Sequence, residues 1–455
     1  METQSEYICP GLETPDYIRV DPGEAAKIYE AGDFIAKYAM EVCMASGSRF
    51  IKLPLDYNYE AYVFGSRIKH RSDGMVITQY RYENIDELSW LLTKTYEPKQ
   101  FGAIFDAIKI ASKNGTVMLR VEGVFSILSA LINPMKILRA LKKKRALITR
   151  LMEHMTEILY QYMHQALQNG VSIISYADPV GTIELVGRNE YKKVIGKYTF
   201  ILMKQLEPDL RQGLMHLCGK CSFALEKCGY LKMIPVPVKE MFYADAVEQS
   251  IQTESVRLIG HGCINCEELM ISRLWTLKLS EIEGYVREMT AEDAKAVLSI
   301  YGSAIEDGKS TVVTTLPDWS EWDEIYYPDG RFVYCLDQRT VGFAALKYTG
   351  IESKDTEKSF EVSIYVHKAY RNMGIGTALL QQVIGYCSDV YGCNIYSHIF
   401  ADNIASIRLH KKMGFVRIKN QTKTVNHRHV MKEIYTYERK YNGCEMLHVQ
   451  TKQVI

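Results

Sequence analysis

The sequence predicts an α/β protein of two unlike units, an N-terminal (β/α)8-like TIM barrel, shortened in this chain, and a C-terminal mixed α/β domain. In the first part of the chain, short apolar runs alternate with amphipathic helical patterns, which is typical of a parallel sheet. In the last part, several strands follow one another with less helix between them. The length of 455 residues also exceeds one ordinary core. We therefore predict a barrel over 1–280, a second domain over 285–440 and a tail over 441–455.

The barrel prediction depends on a series of apolar runs that are separated in several places by helical patterns such as 141–169. Seven strands over residues 1–280 favour a (β/α) barrel over an open sheet. The predicted strands are RFIKLP (49–54), MVITQY (75–80), TVMLRVE (116–122), SIISYAD (172–178), LMHLCG (214–219), MIPVPV (233–238) and VRLIGHG (256–262). Polar or reactive residues lie at the C-terminal ends of these runs, which is the active-site face of a barrel: Asp56, Glu122, Asp178, His216, Cys218, His261 and Cys263.

The second domain is predicted to begin with the strand YVREM and a helix that starts at Thr290. Asp293 follows Thr290 by three residues, close to a capping box. The strands RFVYCLD, TVGFAALKY and SFEVSIYV come next, and then a glycine turn, RNMGIG, leads into a helix. NIYSHIFA and NIASIRLHKKMGF add a further strand and helix. This order predicts a mixed α/β unit.

The composition narrows the classes of partner. Apolar residues make up 47% and charged residues 24%, which are globular values. The net charge of +1 gives no bulk attraction to nucleic acid or to an anionic membrane, so we expect neither partner. No secretory signal is visible, and the apolar runs are too short to span a membrane. Eleven cysteines without an export signal indicate a reducing cytoplasm, where clustered cysteines more often bind metal or react.

The segment HLCGKC, residues 216–221, is a candidate metal site. His216 and Cys218 are two positions apart on a strand, so both side chains lie on the same face. Zinc accepts imidazole and thiolate, and a catalytic zinc keeps three protein ligands and one open position. Cys263, at the end of a later strand, is the natural third ligand. Two alternatives stay open: Cys218, Cys221, Cys263 and Cys266 would form a structural zinc site or, with less support, an iron–sulfur site, or no metal binds.

The glycine turn at Arg371–Gly376 is a candidate anion site. Backbone N–H groups at a helix N-terminus bind phosphate through unpaired donors and the helix dipole. Glycines at the turn let the backbone approach the anion closely. The alternative is an ordinary strand-to-helix turn.

This turn, together with N-x-A-S-I-x-L-H-x-x-x-G-F at 403–415, resembles the GNAT acetyltransferases. E-x-S-x-Y-V at 361–366 adds a resemblance to the phosphinothricin type. The resemblance implies that acetyl-CoA is a co-substrate and that Glu361 is the general base that deprotonates a small amine. A solvated carboxylate is the alternative for Glu361. Segment 424–437 differs from the Gly-Arg-Trp-like segment with which these enzymes usually end, so the identity of the amine substrate stays open. The implied acetyl-CoA contacts are Val366 (backbone to pantetheine), Arg371, Met373, Gly374, Ile375, Gly376, Thr377 and Asn403, the last of which could instead cap a helix.

The first unit resembles the zinc methyltransferases of the uroporphyrinogen decarboxylase superfamily, which include the methylcobamide:coenzyme M methyltransferases. The matching segments are 51–65, 120–132, 170–185, 214–220 and 259–265. The resemblance implies Zn²⁺ on His216, Cys218 and Cys263, where it would activate a thiol that takes a methyl group from a corrinoid carried by a partner protein.

The same resemblance places Glu122 and Asp178 in the pocket; buried or capping carboxylates are the alternative. No arginine-rich segment like that of the decarboxylases is present, so porphyrin decarboxylation is not expected. The whole sequence therefore predicts a bifunctional transferase. The competing hypotheses are an acetyltransferase with a structural-metal or regulatory barrel, and a thiol sensor joined to an acetyltransferase.

Overall fold

The structure is a computed structural model that divides into two compact units, Met1–Ser280 and Glu281–Ile455. It describes residues 26–71, 74–211, 213–252, 256–281, 284–336, 338–349, 359–428 and 430–441. Most of the predicted C-terminal tail lies outside these ranges.

The first unit contains nine strands and twelve α-helices among its described residues. The strands are β1 Ile51–Leu53, β2 Arg67–Arg71, β3 Gly74–Gln79, β4 Val117–Glu122, β5 Ile173–Ala177, β6 Leu214–Leu217, β7 Leu231–Phe242, β8 Leu258–Ile259 and β9 Met270–Leu279. The helices are α1 Lys27–Glu30, α2 Gly32–Ser46, α3 Tyr59–Val63, α4 Gly102–Ala111, α5 Val124–Leu131, α6 Pro134–Lys143, α7 Arg145–Gln168, α8 Ile183–Val186, α9 Arg188–Glu190, α10 Gly196–Leu206, α11 Gly219–Lys227 and α12 Tyr243–Gln252.

The main sheet of this unit has the order β1-β4-β5-β6-β8-β9-β7. The first five strands run parallel, as predicted, whereas β9 pairs antiparallel with both β8 and β7. The described strands form an open sheet, with β1 at one edge and β7 at the other. The predicted closed barrel is therefore not formed by the described residues.

Three segments explain this difference. The run 233–238 belongs to β7, which is largely exposed and contains Pro235 and Pro237; proline removes a ladder donor and is confined to edge strands. The run 75–80 lies in a separate two-stranded hairpin of β2 and β3. The stretch 270–279, which is not among the predicted strands, is the strand β9.

Buried helices cover the parallel strands and fix their position. All eight residues of α5 are buried, and α7 contributes a long buried stripe that packs on α10. No single helix of the described residues is long and apolar enough to cross a membrane; α5 and α6 pass that test only together, with a bend of 117° between them.

The second unit is a seven-stranded sheet with four α-helices among its described residues. The sheet order is β10-β11-β12-β13-β14-β16-β15, and only β13 and β14 pair in parallel. The strands are β10 Gly284–Glu288, β11 Phe332–Leu336, β12 Arg339–Tyr348, β13 Ser359–Val366, β14 Asn394–Phe400, β15 Val416–His427 and β16 Val430–Arg439, and the helices are α13 Ala294–Asp307, α14 Trp319–Ile325, α15 Ile375–Tyr386 and α16 Ile404–Lys412.

The predicted elements of the second unit are confirmed, with additions. The capping box forms: the Thr290 amide donates to Asp293 Oδ2 at 2.9 Å. The box opens a short 3-10 turn that leads into α13. The sequence did not predict the β15–β16 hairpin or α14.

Candidate functional sites

A cavity lies at the C-terminal ends of the parallel strands in the first unit. Because β1, β4, β5, β6 and β8 point the same way, the residues that follow them meet at one edge of the sheet. The cavity encloses about 680 Å³ of empty space, its open mouth included. Its lining residues are Pro54, Tyr57, Glu60, Arg120, Val121, Glu122, Ser175, Ala177, Pro179, His216, Cys218, Cys263, Ile264 and Asn265. All three predicted zinc ligands are among them.

His216 is held at the cavity wall by two hydrogen bonds. Its Nε2 donates to the Gly262 carbonyl oxygen at 3.2 Å, and its Nδ1 lies 3.2 Å from the Ser175 hydroxyl. The residue is 1% exposed, and burial lowers the pKa of His216 to about 4 despite the Gly262 contact. The imidazole is therefore neutral at physiological pH, which is the form that binds a metal ion.

Cys218 is the N-cap residue of α11, and Cys221 follows one turn later. The Cys221 thiol donates a hydrogen bond to Cys218, which holds the pKa of Cys218 below its ordinary value against the effect of burial. The same hydrogen bond, with burial, raises the pKa of Cys221. The Asp178 amide in turn donates to Cys221 Sγ at 3.3 Å. The two sulfurs thus differ: Cys218 faces the cavity, and Cys221 lies buried behind it.

The predicted metal ligands share the cavity, but their side chains do not converge. No three His, Cys, Asp or Glu side chains of the described residues are close enough together to hold one ion, and this includes a four-cysteine site. His261 does not line the cavity; its ring stacks on Trp275 with centroids 4.8 Å apart. The residue types still fit zinc, since a neutral imidazole and two cysteine sulfurs line one cavity.

The two predicted carboxylates have different positions. Glu122 lines the cavity and is half-buried; burial of its carboxyl, reinforced by the charges of Glu60 and Asp178, raises the pKa of Glu122 well above its ordinary value. Asp178 does not line the cavity. Its oxygens accept hydrogen bonds from the amides of Phe125, Ser126 and Gly181 and from the Ser126 hydroxyl. These contacts are those of a carboxylate that caps a helix, which is the alternative stated above for Asp178.

Sequence reasoning missed Glu60 and Arg120. Glu60 lines the cavity at 1% exposure, Oε1 has no hydrogen-bond partner, and burial raises the pKa of Glu60 to about 8. Arg120 donates to the Pro54 carbonyl, and its guanidinium lies 4.3 Å from the Tyr57 ring centroid. The spacing of Arg120 and Glu122, two apart on β4, could have placed both on the same face.

In the second unit, β13 and β14 pair only at their beginnings. The parallel register runs from Ser359–Asn394 to Glu361–Tyr396 and then stops. From residue 362 to Val366, β13 keeps its pairing with β12 on the other side, while β14 pairs only with β16. One edge of β13 is therefore open between Glu361 and the glycine turn.

Glu361 lies where the two strands separate. His398 Nδ1 is 3.1 Å from Glu361 Oε1. Burial alone would raise the pKa of Glu361, but the His398 hydrogen bond and the charges of His398, Lys347 and Lys423 outweigh it and hold the pKa below its ordinary value. The carboxylate is therefore ionised at neutral pH.

The glycine turn brings the backbone of 373–377 to the start of α15. Gly374 is the N-cap with φ of 81°, a left-handed conformation that glycine adopts without strain. A Cβ on Gly376 would lie 3.2 Å from Leu409 Cδ2 and 4.0 Å from Val366 Cγ2, so glycine permits close packing there. Met373 and Thr377 flank these glycines and are half-buried, and Ile375 is buried.

Two of the predicted acetyl-CoA contacts have partners within the protein. Arg371 Nη2 pairs with Asp307 at 2.7 Å, and its Nε lies 3.5 Å from the Val366 carbonyl oxygen. Asn403 is the N-cap of α16: its Oδ1 accepts from the Ser406 amide, and its Nδ2 donates to the Lys309 carbonyl, both at 3.1 Å. For Asn403 the structure shows the helix-cap alternative.

These two sites define a two-domain α/β protein with a thiol-lined cavity in one unit and a helix N-terminus beside an open strand edge in the other. A family model described as uroporphyrinogen decarboxylase (URO-D) matches residues 19–261, and one described as acetyltransferase (GNAT) family matches residues 298–415. The chain belongs to the uroporphyrinogen decarboxylase family through its first unit, and its second unit is a GNAT-family domain.

Individual relatives match each unit separately. The methylcobamide:CoM methyltransferase of Methanosarcina mazei is 23% identical over 45% of this chain and 59% of its own length. A Bacillus subtilis protein whose name proposes phosphinothricin acetyltransferase activity is 30% identical over 27% of this chain and 78% of its own. An N-alpha-acetyltransferase of Sulfurisphaera tokodaii is 38% identical over 20% of this chain and 54% of its own.

The chain thus spans little more than half the length of two of these relatives. Among solved structures, a GNAT phosphinothricin acetyltransferase of Sinorhizobium meliloti in complex with AcCoA is 21% identical over 34% of this chain and 87% of its own, with a TM-score of 0.31.

Proposed function

We propose that the second unit is an N-acetyltransferase that transfers the acetyl group of acetyl-CoA to a small amine. The observation that carries this proposal is the separation of β13 from β14 after Glu361, which leaves a strand edge open up to the glycine turn. An extended chain with amide groups can pair with such an edge. The pantetheine arm has this character, so the backbone of Val366 would pair with it.

The turn supplies the second half of the co-substrate site. The first amides of α15 have no partner within the helix, and they lie next to Gly374 and Gly376 at the end of the open edge. The amides of 373–377 would therefore hold the pyrophosphate. Arg371 would act through its ion pair with Asp307, positioning the turn.

Glu361 is the base in this mechanism. Its carboxylate, kept ionised by His398, accepts a proton from the amine directly or through one water molecule. The amine nitrogen then attacks the thioester carbonyl carbon, the carbon–sulfur bond breaks, and the thiol of CoA leaves. Holding both reactants along β13 lowers the entropic part of the barrier.

Glu361→Gln tests this assignment. Loss of a positioned base lowers kcat by about 10²–10⁴-fold, with binding of acetyl-CoA unchanged. The matched control is Glu288→Gln, a carboxamide substitution of an exposed carboxylate on β10 of the same sheet. Acetyl transfer would be measured with a panel of amines and amino acids by release of free CoA. Full activity of Glu361→Gln would remove the carboxylate from the mechanism.

We propose a second activity for the first unit: transfer of a methyl group from a corrinoid, carried by a partner protein, to a small thiol. What supports it is the position of His216, Cys218 and Cys263 on the wall of one cavity in a uroporphyrinogen decarboxylase-family unit. These residues would hold a zinc ion, which when bound supplies the Lewis acidity that turns a thiol into a thiolate.

The other residues of the cavity have roles that do not need the metal. Glu60 and Glu122 are carboxyls with raised pKa values, so their protonated forms can donate hydrogen bonds to a molecule in the cavity. Arg120, fixed against Tyr57 and Pro54, places a positive charge beside the entering molecule.

Metal content separates this proposal from the structural alternative. Wild-type protein should carry about one zinc per chain, as expected for a site of three protein ligands. His216→Ala and Cys263→Ser should lose it, while Cys221→Ser and Cys228→Ser, a control at a buried cysteine away from the cavity, should keep it. Zinc that survives His216→Ala but is lost with Cys221→Ser would support an acetyltransferase joined to a structural-metal unit. Methyl transfer from methylcobalamin to thiols then tests the activity itself.

A further inference from the structure

Cys218 and Cys221 have the geometry of a pair that can form a disulfide. The amide of Ser222 donates to the Cys218 carbonyl at 3.0 Å, which closes the first turn of α11 around the two cysteines. Side chains three apart on a helix have Cβ atoms about 5–6 Å apart, so a small backbone adjustment at the N-cap position brings them into the range of a disulfide. The two thiols are already hydrogen-bonded to each other.

The two cysteines also differ in how a solute reaches them. Cys218 lines the cavity and is half-buried, so a molecule that enters meets this sulfur. Cys221 is 4% exposed and lies behind it, against the Asp178 amide. In dithiol chemistry these positions belong to the attacking and the resolving cysteine.

A second cysteine pair has the same hydrogen bond but no access from a cavity lined by its sulfurs. Cys387 and Cys393 in the second unit are also hydrogen-bonded to each other. Both are buried, at 0% and 3% exposure, and neither takes an N-cap position. This pair serves as an internal comparison.

We propose that Cys218 and Cys221 are a redox-active dithiol that reacts with small disulfides entering the cavity. The Cys218 thiolate attacks one sulfur of the disulfide, forms a mixed disulfide and releases one thiolate. Cys221 gives up its proton to that thiolate and attacks the Cys218 sulfur, and the second thiolate leaves and takes a proton from water. Two protein thiols and one small disulfide become one protein disulfide and two small thiols.

Formation of this disulfide would also change which ligands the cavity offers to a metal ion. A sulfur in the disulfide is not a thiolate ligand, so oxidation removes Cys218 from any metal ion held there. This consequence depends on the proposed zinc site, whereas the dithiol itself does not.

The test uses the full chain, reduced and treated with a chelator, and then oxidised with excess oxidised glutathione. Intact mass should fall by two hydrogen atoms, and peptide mapping should find Cys218 joined to Cys221. Cys221→Ser should instead keep one glutathione on Cys218, and Cys218→Ser should form neither product. Cys387→Ser should behave as wild type, and thermal unfolding shows that each variant is folded.

Three results would overturn the proposal: a stable glutathione adduct on wild-type Cys218, a bridge from Cys218 to Cys263, or oxidation that stops in Cys387→Ser. The metal is then examined separately. If zinc-loaded protein releases its zinc in step with disulfide formation, both proposals stand. If the protein never binds zinc yet forms the disulfide, the zinc proposal fails and the dithiol remains.

Discussion

The two candidate sites are built in opposite ways. In the first unit, the cavity is formed by side chains that follow five parallel strands and come from positions 54–265. In the second unit, the proposed acetyl-CoA site consists largely of the backbone of 366–377, a single stretch of chain. A local backbone site is specified by adjacent residues, whereas the cavity exists only once the strand order brings distant residues together.

The carboxylates of the two sites differ for the same reason. Glu60 and Glu122 line one cavity, and desolvation favours the protonated form of each; for Glu122 the charges of Glu60 and Asp178 add to this effect. Glu361 is also partly buried, but its hydrogen bond with His398 and the nearby charges favour its ionised form. The comparison predicts protonated carboxyl groups in the cavity of the first unit and an ionised carboxylate, able to accept a proton, in the second unit.

The largest effect is expected for Glu60→Gln. The pKa of Glu60 is about 8 in the folded chain and about 4.3 in an unfolded one. Between these values the folded state holds one more proton, so the free energy of unfolding falls by about 1.4 kcal/mol for each pH unit of increase. From pH 5 to pH 8 this amounts to at most about 4 kcal/mol. Glutamine has no such proton, so the variant should lose less stability over this range.

Urea unfolding at pH 5, 6.5 and 8 checks this prediction. Glu184→Gln, at an exposed carboxylate on α8, is the control and should keep the wild-type slope. Equal slopes of unfolding free energy against pH for wild type and Glu60→Gln would show that Glu60 is ionised. The prediction of a protonated carboxyl group in the cavity would then be wrong.

The second effect concerns the backbone site. In Gly376→Val, branched atoms would fill the space in front of Leu409 and Val366 and push the turn away from β13. We expect acetyl-CoA affinity to fall by about 100-fold, or about 2.7 kcal/mol. Thr377→Ala and Met373→Ala keep the amides and should change affinity by no more than about threefold.

Isothermal titration with acetyl-CoA measures these differences. Gly385→Val is the matched control, since this glycine lies on the same helix and a Cβ there meets no atom within 4 Å. A large loss in Thr377→Ala with none in Gly376→Val would mean that side chains, not the backbone, hold the pyrophosphate.

The sequence predicts features that are built from adjacent residues better than features that are built from distant ones. The glycine turn, Glu361 and the five parallel strands were predicted because each signal lies within a short run of residues. The predicted closed barrel is not formed by the described residues, since the prolines of β7 mark an edge strand and β9 pairs antiparallel with its neighbours. Glu60 was missed because it becomes a cavity residue only when the fold brings α3 and β4 to the same cavity. Asp178 and Asn403 have the side-chain chemistry of site residues, but their hydrogen bonds are those of helix caps.

A smaller effect is expected for Ser175→Ala at the proposed zinc site. The Ser175 hydroxyl lies 3.2 Å from His216 Nδ1 and can accept its hydrogen when Nε2 binds the metal. Loss of such an outer partner costs about 10–100-fold in metal affinity, and we expect about tenfold here. Competition with a zinc-binding dye measures it, with Ser129→Ala, a buried serine of α5, as the control. Tighter zinc binding in Ser175→Ala would indicate that Nδ1, not Nε2, is the ligand atom.

The last prediction concerns His398, which separates two mechanisms for the second unit. If Glu361 is the base, His398→Gln removes the ring whose hydrogen bond and charge lower the pKa of Glu361, and the acid limb of the kcat/KM profile moves to higher pH. The sign follows because Glu361 must be ionised to accept a proton, and without His398 its ionisation needs a higher pH. Lys347→Gln should move the limb in the same direction by less, since its charge acts on Glu361 more weakly than the His398 hydrogen bond. If His398 itself takes the proton from the amine, His398→Gln loses activity at every pH and Glu361→Gln keeps a measurable rate. The two profiles therefore decide which member of the pair carries the proton.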